Sequence, residues 1–105
     1  MLLIKKNMNF VSLNNYKSIQ VHERIAGNIK TKRLIIMHNG VLEGDVIADE
    51  IIVHGKIVGK IKCLSKLSIT STGSVDGDIL YYCLNIQEGA VINADSFKPL
   101  YVNIL

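Results

Sequence analysis

The sequence has no tryptophan, one proline and only two cysteines among its 105 residues. The proline, Pro99, lies near the C-terminus, so no proline would interrupt a ladder of backbone hydrogen bonds over most of the chain. The cysteines, Cys63 and Cys83, lie 20 residues apart, so they do not form a CxxC pair and do not define a disulfide framework. We therefore expect reduced thiols, with Cys63 pointing inward as a small apolar residue, in a cytoplasmic protein.

Long apolar runs and catalytic motifs are also absent. No uninterrupted apolar stretch approaches the roughly 18 residues of a membrane-spanning helix. The sequence has no phosphate-binding glycine loop, nucleophile elbow or metalloprotease helix motif. A length of 105 residues indicates one domain, and the formal net charge of +3 is mild. We expect no cofactor, no metal and no catalytic residue, and therefore a protein that is not an enzyme.

What the chain does have is a repeat. Its clearest copies are residues 40–46, 55–61 and 73–79, each with two glycines four positions apart and aliphatic residues two positions after each glycine. A weaker copy covers residues 23–29, and a degenerate one covers residues 89–95. Equivalent aliphatic residues recur after about 16 positions. Such a period predicts a solenoid, in which each repeat buries its apolar face against its neighbours.

The segments between the glycine motifs alternate with a period of two, as in Leu67 and Ile69 or Ile51 and Val53. This alternation indicates short strands with one buried face, and the glycines mark the corners between them. We predict an all-β, single-domain parallel β-helix of five to six coils stacked about 4.8 Å apart. Residues 18–105 would form this domain with its C-terminal end coil, and residues 1–17 an N-terminal tail.

The repeats resemble those of the bactofilins, which are small bacterial polymer-forming cytoskeletal proteins. The resemblance covers residues 19–93 and includes Gly-Ser-Val-Asp-Gly-Asp-Ile at 73–79 and Leu-Asn-Ile-Gln-Glu-Gly-Ala at 84–90. It implies a right-handed β-helix that assembles end to end into non-polar filaments without nucleotide. It also implies a location at the inner face of the membrane and a role in cell shape or as a scaffold for cell-wall or morphogenesis proteins. The fifth repeat departs from the family pattern at Asn93, Ala94 and Asp95.

Residues 92–105 contain apolar and aromatic side chains that no further repeat would cover. We expect the C-terminal polymerisation interface to consist of Phe97, Leu100, Tyr101 and Val102, with Phe97 as its main contact. The alternative is that this tail folds across its own end as a cap. At the opposite end, the first repeat predicts an interface of Ile19, Val21 and Ile25.

The N-terminus combines an apolar tip with two cations. Leu2, Leu3, Ile4, Lys5 and Lys6 could contact an anionic membrane surface, and a filament would strengthen this contact through its many copies. The alternatives are a frayed terminus, or a segment around residues 10–13 that caps the first coil.

Other functions have weaker support. His22, His38 and His54 are 16 residues apart, a spacing that suggests a trimeric β-helix metalloenzyme with a zinc site resembling the γ-class carbonic anhydrases. However, their positions relative to the repeat differ, and we expect exposed turn histidines. Basic clusters at 30–33 and 60–66 are separated by acidic residues and lack interleaved aromatics, so we do not expect nucleic acid as a partner. A third alternative is a non-polymerising adaptor that binds partners through its side.

Overall fold

The computed structural model describes residues 1–100, which form seven parallel strands and no helix. The strands pair in sequence order in a single sheet, and the chain forms a β-solenoid of about six turns. Their bounds are β1 Leu2–Ile4, β2 Met8–Val21, β3 Arg24–Ile36, β4 Val41–Val53, β5 Lys56–Ile69, β6 Ser74–Ile86 and β7 Val91–Pro99. The prediction of an all-β parallel solenoid is therefore confirmed.

A column of glycines bends the long strands at one corner. Gly27, Gly44, Gly59 and Gly77 stand in register, with φ between 123° and 144°. A Cβ added to any of the last three would overlap the carbonyl oxygen of the glycine in the preceding coil. Only glycine adopts this conformation at low cost and leaves room for that close approach.

The core consists of aliphatic columns that run along the solenoid. In one column Ile25, Leu42, Ile57 and Val75 stand in register and are fully buried. The predicted inward position of Cys63 is confirmed, since this side chain is fully buried below Ala48. Each inward side chain contacts its equivalents in the neighbouring coils, so the repeat alone builds a continuous core.

The first 17 residues contribute strands to the same sheet. β1 and the beginning of β2 lie on the first glycine-containing coil, with Leu2 paired to Ile19 and Met8 paired to Ile25. The predicted boundary between residues 17 and 18 falls within β2. As a functional division of the chain it stays a prediction.

Candidate assembly surfaces

The C-terminal end of the solenoid is only partly covered. β7 pairs with the first part of β6, up to Tyr81, and residues 83–86 have no following strand within the described part of the chain. Leu84 is half-buried and Ile86 is 43% exposed, whereas their counterparts in β5, Leu67 and Ile69, are fully buried. Within residues 1–100 this half-coil presents aliphatic side chains and strand groups with no partner strand on their outer side, which a further strand could cover.

Phe97 lies in the last layer of the stack. It is in register with Ile79 and packs its ring edge to face against Tyr81, with ring centroids 5.0 Å apart and planes at 77°. It is half-buried, so it packs on the core beneath it and still offers part of its ring at the end of the solenoid. Leu100 is also half-buried, and its backbone N–H donates a hydrogen bond to the Tyr81 carbonyl. The predicted contacts Tyr101 and Val102 lie outside the described residues.

The N-terminal end also exposes an apolar surface, but a different one from that predicted. Ile19, Val21 and Ile25 are fully buried beneath Leu2, Ile4 and Met8, respectively. A contact through these three predicted residues would require β1 and the beginning of β2 to be displaced. The groove that is open at this end, of about 430 Å³, is lined by Leu2, Leu3, Ile4, Lys5, Lys6, Met8, Leu13 and Tyr16.

The five residues predicted to contact a membrane do not all face outward. Leu3 is 46% exposed, and Lys5 and Lys6 are exposed. Leu2 is half-buried, and Ile4 belongs to the core. Of the five, Leu3, Lys5 and Lys6 are thus the exposed ones, one apolar residue with two cations, and membrane contact stays a prediction. Residues 1–100 include no helix long and apolar enough to cross a bilayer.

Charge is distributed unevenly along the stack. Residues 1–37 carry seven lysines and arginines and one carboxylate, a net side-chain charge of +6. The rest of the chain carries five cations and eight carboxylates, a net charge of −3, and the two values sum to the formal +3 of the chain. The sequence contains this asymmetry, but its meaning depends on the parallel stacking, which converts position in the chain into position along the solenoid.

The histidines do not converge on one point. His22 and His54 lie two coils apart, because Met37 occupies the equivalent turn position between them. The His38 and His54 rings stack with centroids 5.9 Å apart, and His54 Nδ1 lies 3.0 Å from Thr70 Oγ1. In the part of the chain that the structure describes, no three His, Cys, Asp or Glu side chains are placed to hold a metal ion. A single chain therefore gives the zinc hypothesis no support.

The two cysteines have opposite environments. The Cys63 thiol donates a hydrogen bond to the Asp49 carbonyl at 3.3 Å, and burial raises its pKa to about 11. Cys83 is exposed and lies on the uncovered half of β6. Neither forms a disulfide.

In a comparison with protein-family models, residues 2–96 match the family described as "Bactofilin: Polymer-forming cytoskeletal". The match begins in β1 and ends in β7, so it also includes the N-terminal strands that lie before the recognised repeats. Comparisons with curated proteins and with solved structures give no significant match.

Proposed function

The chain belongs to the bactofilin family of polymer-forming cytoskeletal proteins, and we propose that it forms filaments by joining the ends of its solenoid. The observation that carries this proposal is the partly covered C-terminal coil. Leu84 and Ile86 continue columns that are fully buried one coil earlier, and they lack a covering strand among residues 1–100. A second copy would bury this aliphatic surface and pair the free strand groups.

In this proposal like ends meet. Two C-terminal ends joined by a two-fold axis place the same patch on both copies, and we expect Phe97, in the last layer of each copy, to belong to it. Aromatic side chains in such patches contribute a large share of the binding energy. The N-terminal ends would meet through Leu2 and Met8, which line the groove at this end and are half-buried. Alternating contacts of these two kinds give a filament without polarity.

The two contacts differ in electrostatics. An N-terminal contact brings together two ends that each belong to a region of net charge +6, and their repulsion opposes association. Salt screens this repulsion, since the Debye length falls from about 30 Å at 0.01 M to about 8 Å at 0.15 M. Where the N-terminal contact limits filament length, we therefore expect filaments to lengthen as the salt concentration rises from about 0.01 M to 0.15 M.

The same charge suits an anionic membrane surface. Leu3 would insert at the interface while Lys5 and Lys6 meet lipid headgroups, and a filament would repeat this weak contact many times. Flotation with phosphatidylserine vesicles tests this step. We expect binding by wild type and its loss in the Lys5→Glu/Lys6→Glu variant; equal binding to pure phosphatidylcholine vesicles would contradict it.

The role proposed for these filaments is a scaffold in cell shape that positions cell-wall or morphogenesis proteins at the inner membrane face. Assembly would need neither nucleotide nor catalysis, because apolar burial and strand pairing supply its driving force. Adding a nucleoside triphosphate to the polymerisation assay should therefore leave the polymer fraction unchanged. A fraction that depended on nucleotide would contradict this part of the proposal.

Negative-stain electron microscopy with sedimentation tests the proposal as a whole. Wild type should form filaments, and Phe97→Arg should remain folded by circular dichroism but lose them. Leu64→Arg is the matched control, since Leu64 is a 40% exposed apolar residue on the side of the solenoid. This variant should keep its filaments. A wild-type protein that is monomeric at all salt and protein concentrations would overturn the proposal.

A further inference from the structure

One side of the solenoid carries unlike charges in successive coils. We call it the acid–base face and define it by two outward columns that follow the glycine corner. The first column contains Asn28, Asp45, Lys60, Asp78 and Ser96, and the second contains Lys30, Ile47, Lys62, Leu80 and Lys98. Coils with an aspartate and an aliphatic residue thus alternate with coils that carry lysine. A shallow depression of about 480 Å³ follows this face from β4 to β7.

Among residues 1–100, the charges of this face have no ion-pair partners. Asp45, Lys60 and Asp78 are in register, yet no salt bridge joins them within the described residues. Elsewhere on the solenoid, neighbouring coils do form ion pairs. Arg24 meets Glu43 at 2.6 Å, and Lys56 meets Asp76 at 3.6 Å. The acid–base face therefore keeps its charges available for an external partner.

The aliphatic members of the face are also accessible. Ile47 is 38% exposed and Leu80 is 36% exposed, and both lie in the second column between lysines. Lysine stems can pack on such residues while the ammonium groups stay in water. A matching surface would therefore present an acid opposite Lys60 and a long aliphatic stem opposite Ile47.

We propose that the acid–base face binds the same face of a second copy that runs antiparallel. A two-fold axis that lies in the plane of the face, parallel to the strands and midway between β4 and β5, places Asp45 of each copy opposite Lys60 of the other. The same axis places Ile47 of each copy opposite the stem of Lys62. Moving the axis by one coil, about 4.8 Å, gives a second complementary register in which Lys60 meets Asp78. An axis that lies on a coil instead opposes identical charges, so the face selects these registers.

The size of the face sets the conditions for this contact. Five coils about 4.8 Å apart and an outward segment about 10 Å wide give roughly 240 Å² per copy. Two copies bury far less than the roughly 1,200 Å² of a stable small interface, so an isolated pair would dissociate. Filaments repeat the contact along their length and gain from avidity. The inference therefore rests on the proposed polymerisation and predicts lateral pairing of filaments.

Electron microscopy at two salt concentrations separates lateral pairing from filament formation. At about 50 mM salt wild-type filaments should lie in pairs or bundles, and at about 500 mM, where screening is strong, they should be single. Lys60→Glu opposes like charges in both registers, so the fraction of paired filaments should fall at least tenfold at low salt. Lys66→Glu is the matched control, because it makes the same charge change in the same strand but outside this face.

A charge exchange tests the pairing itself. The Asp45→Lys/Lys60→Asp variant has the net charge of wild type and re-forms the first register with opposite signs, so bundles should return. Wild-type filaments that stay single at low salt, or Lys60→Glu filaments that bundle like wild type, would overturn the inference while the proposed polymerisation stands. Absence of any wild-type filament would overturn both.

Discussion

The central coils and the end coils of this solenoid follow the same repeat but differ in regularity. From β3 to β6 the glycine columns stay in register, and the shifts that occur lie at the bend after Ala48 and Cys63. At the ends, β2 contains two register shifts and two non-glycine residues with positive φ, Phe10 and Asn15. β7 contains another shift, at the position that follows Gly77. The coils therefore stay in register through this corner wherever its glycine is kept.

A single Cβ explains where the regular stack ends. At Gly44, Gly59 and Gly77, an added Cβ would clash with the carbonyl oxygen of the corner glycine in the preceding coil. The side chain that is excluded is therefore the one on the later of two stacked coils. Val11 pairs with Gly27 as the first member of the column and has no preceding corner to clash with among the described residues. Ala94 follows Gly77, and the register shifts directly after this pair. The column can therefore begin with a side chain but cannot continue through one without distortion.

The largest effect should come from breaking the central corner. Gly59→Ala places a Cβ against the Gly44 carbonyl at φ 140°, and we expect a loss of about 4 kcal/mol or more in unfolding free energy. Gly89→Ala is the control at the C-terminal end, where the nearest atom is the Ser71 carbonyl oxygen at 3.0 Å and φ is 98°. This variant should lose about 1 to 2 kcal/mol. Urea denaturation measures both, and equal losses would contradict the proposed role of the central column.

The sequence predicted the central coils well because glycine spacing and alternation report local geometry. The columns that contain Leu42, Ile57 and Val75 follow directly from the repeat. The covering of Ile19 by Leu2 was missed, because a three-residue strand before an irregular segment carries no repeat signal.

The acid–base face was missed for a different reason. Turns of two residues, as between β4 and β5, and of four, as between β5 and β6, change the period from coil to coil. Which charged residue stands above which therefore depends on the register, and the period alone does not supply it. Only with Asp45, Lys60 and Asp78 in one column does the alternation become visible.

A smaller effect should distinguish the two cysteines. The pKa of Cys63 is raised from 9.0 to about 11 by burial, so the thiol of the unfolded chain ionises first as pH rises. The free energy of unfolding therefore has its full value below about pH 9 and falls as pH rises toward 11, by about 1 kcal/mol at pH 10. Urea denaturation at pH 8 and pH 10 measures this loss. Cys63→Ala should lack this component, and Ala48 shows that the column accepts alanine.

Thiol labelling gives an independent measure of the same contrast. Exposed Cys83 should react with a disulfide reagent at pH 8 at least about a hundredfold faster than Cys63, which reacts only after the coil opens. Comparable rates for the two thiols would contradict a closed central core. The Cys83→Ser variant assigns the fast phase.

The smallest effect should come from Arg24, which joins the first coils to the central ones. Its guanidinium pairs with Glu43 and lies 3.4 Å from Asn9 Oδ1, while its backbone N–H bonds Asn7. The ion pair lowers the pKa of Glu43, chiefly by hydrogen bonding. Its contribution to stability is therefore present at pH values above the ordinary glutamate pKa and is lost as pH falls. Arg24→Gln should return the pKa of Glu43 toward its ordinary value in an NMR titration. Because the ion pair is exposed, the free energy of global unfolding should stay within error. Amide exchange around residues 7–10 should accelerate, because this segment loses its side-chain contact with Arg24. Unchanged exchange there would show that the first coils hold to the central stack through the buried columns alone.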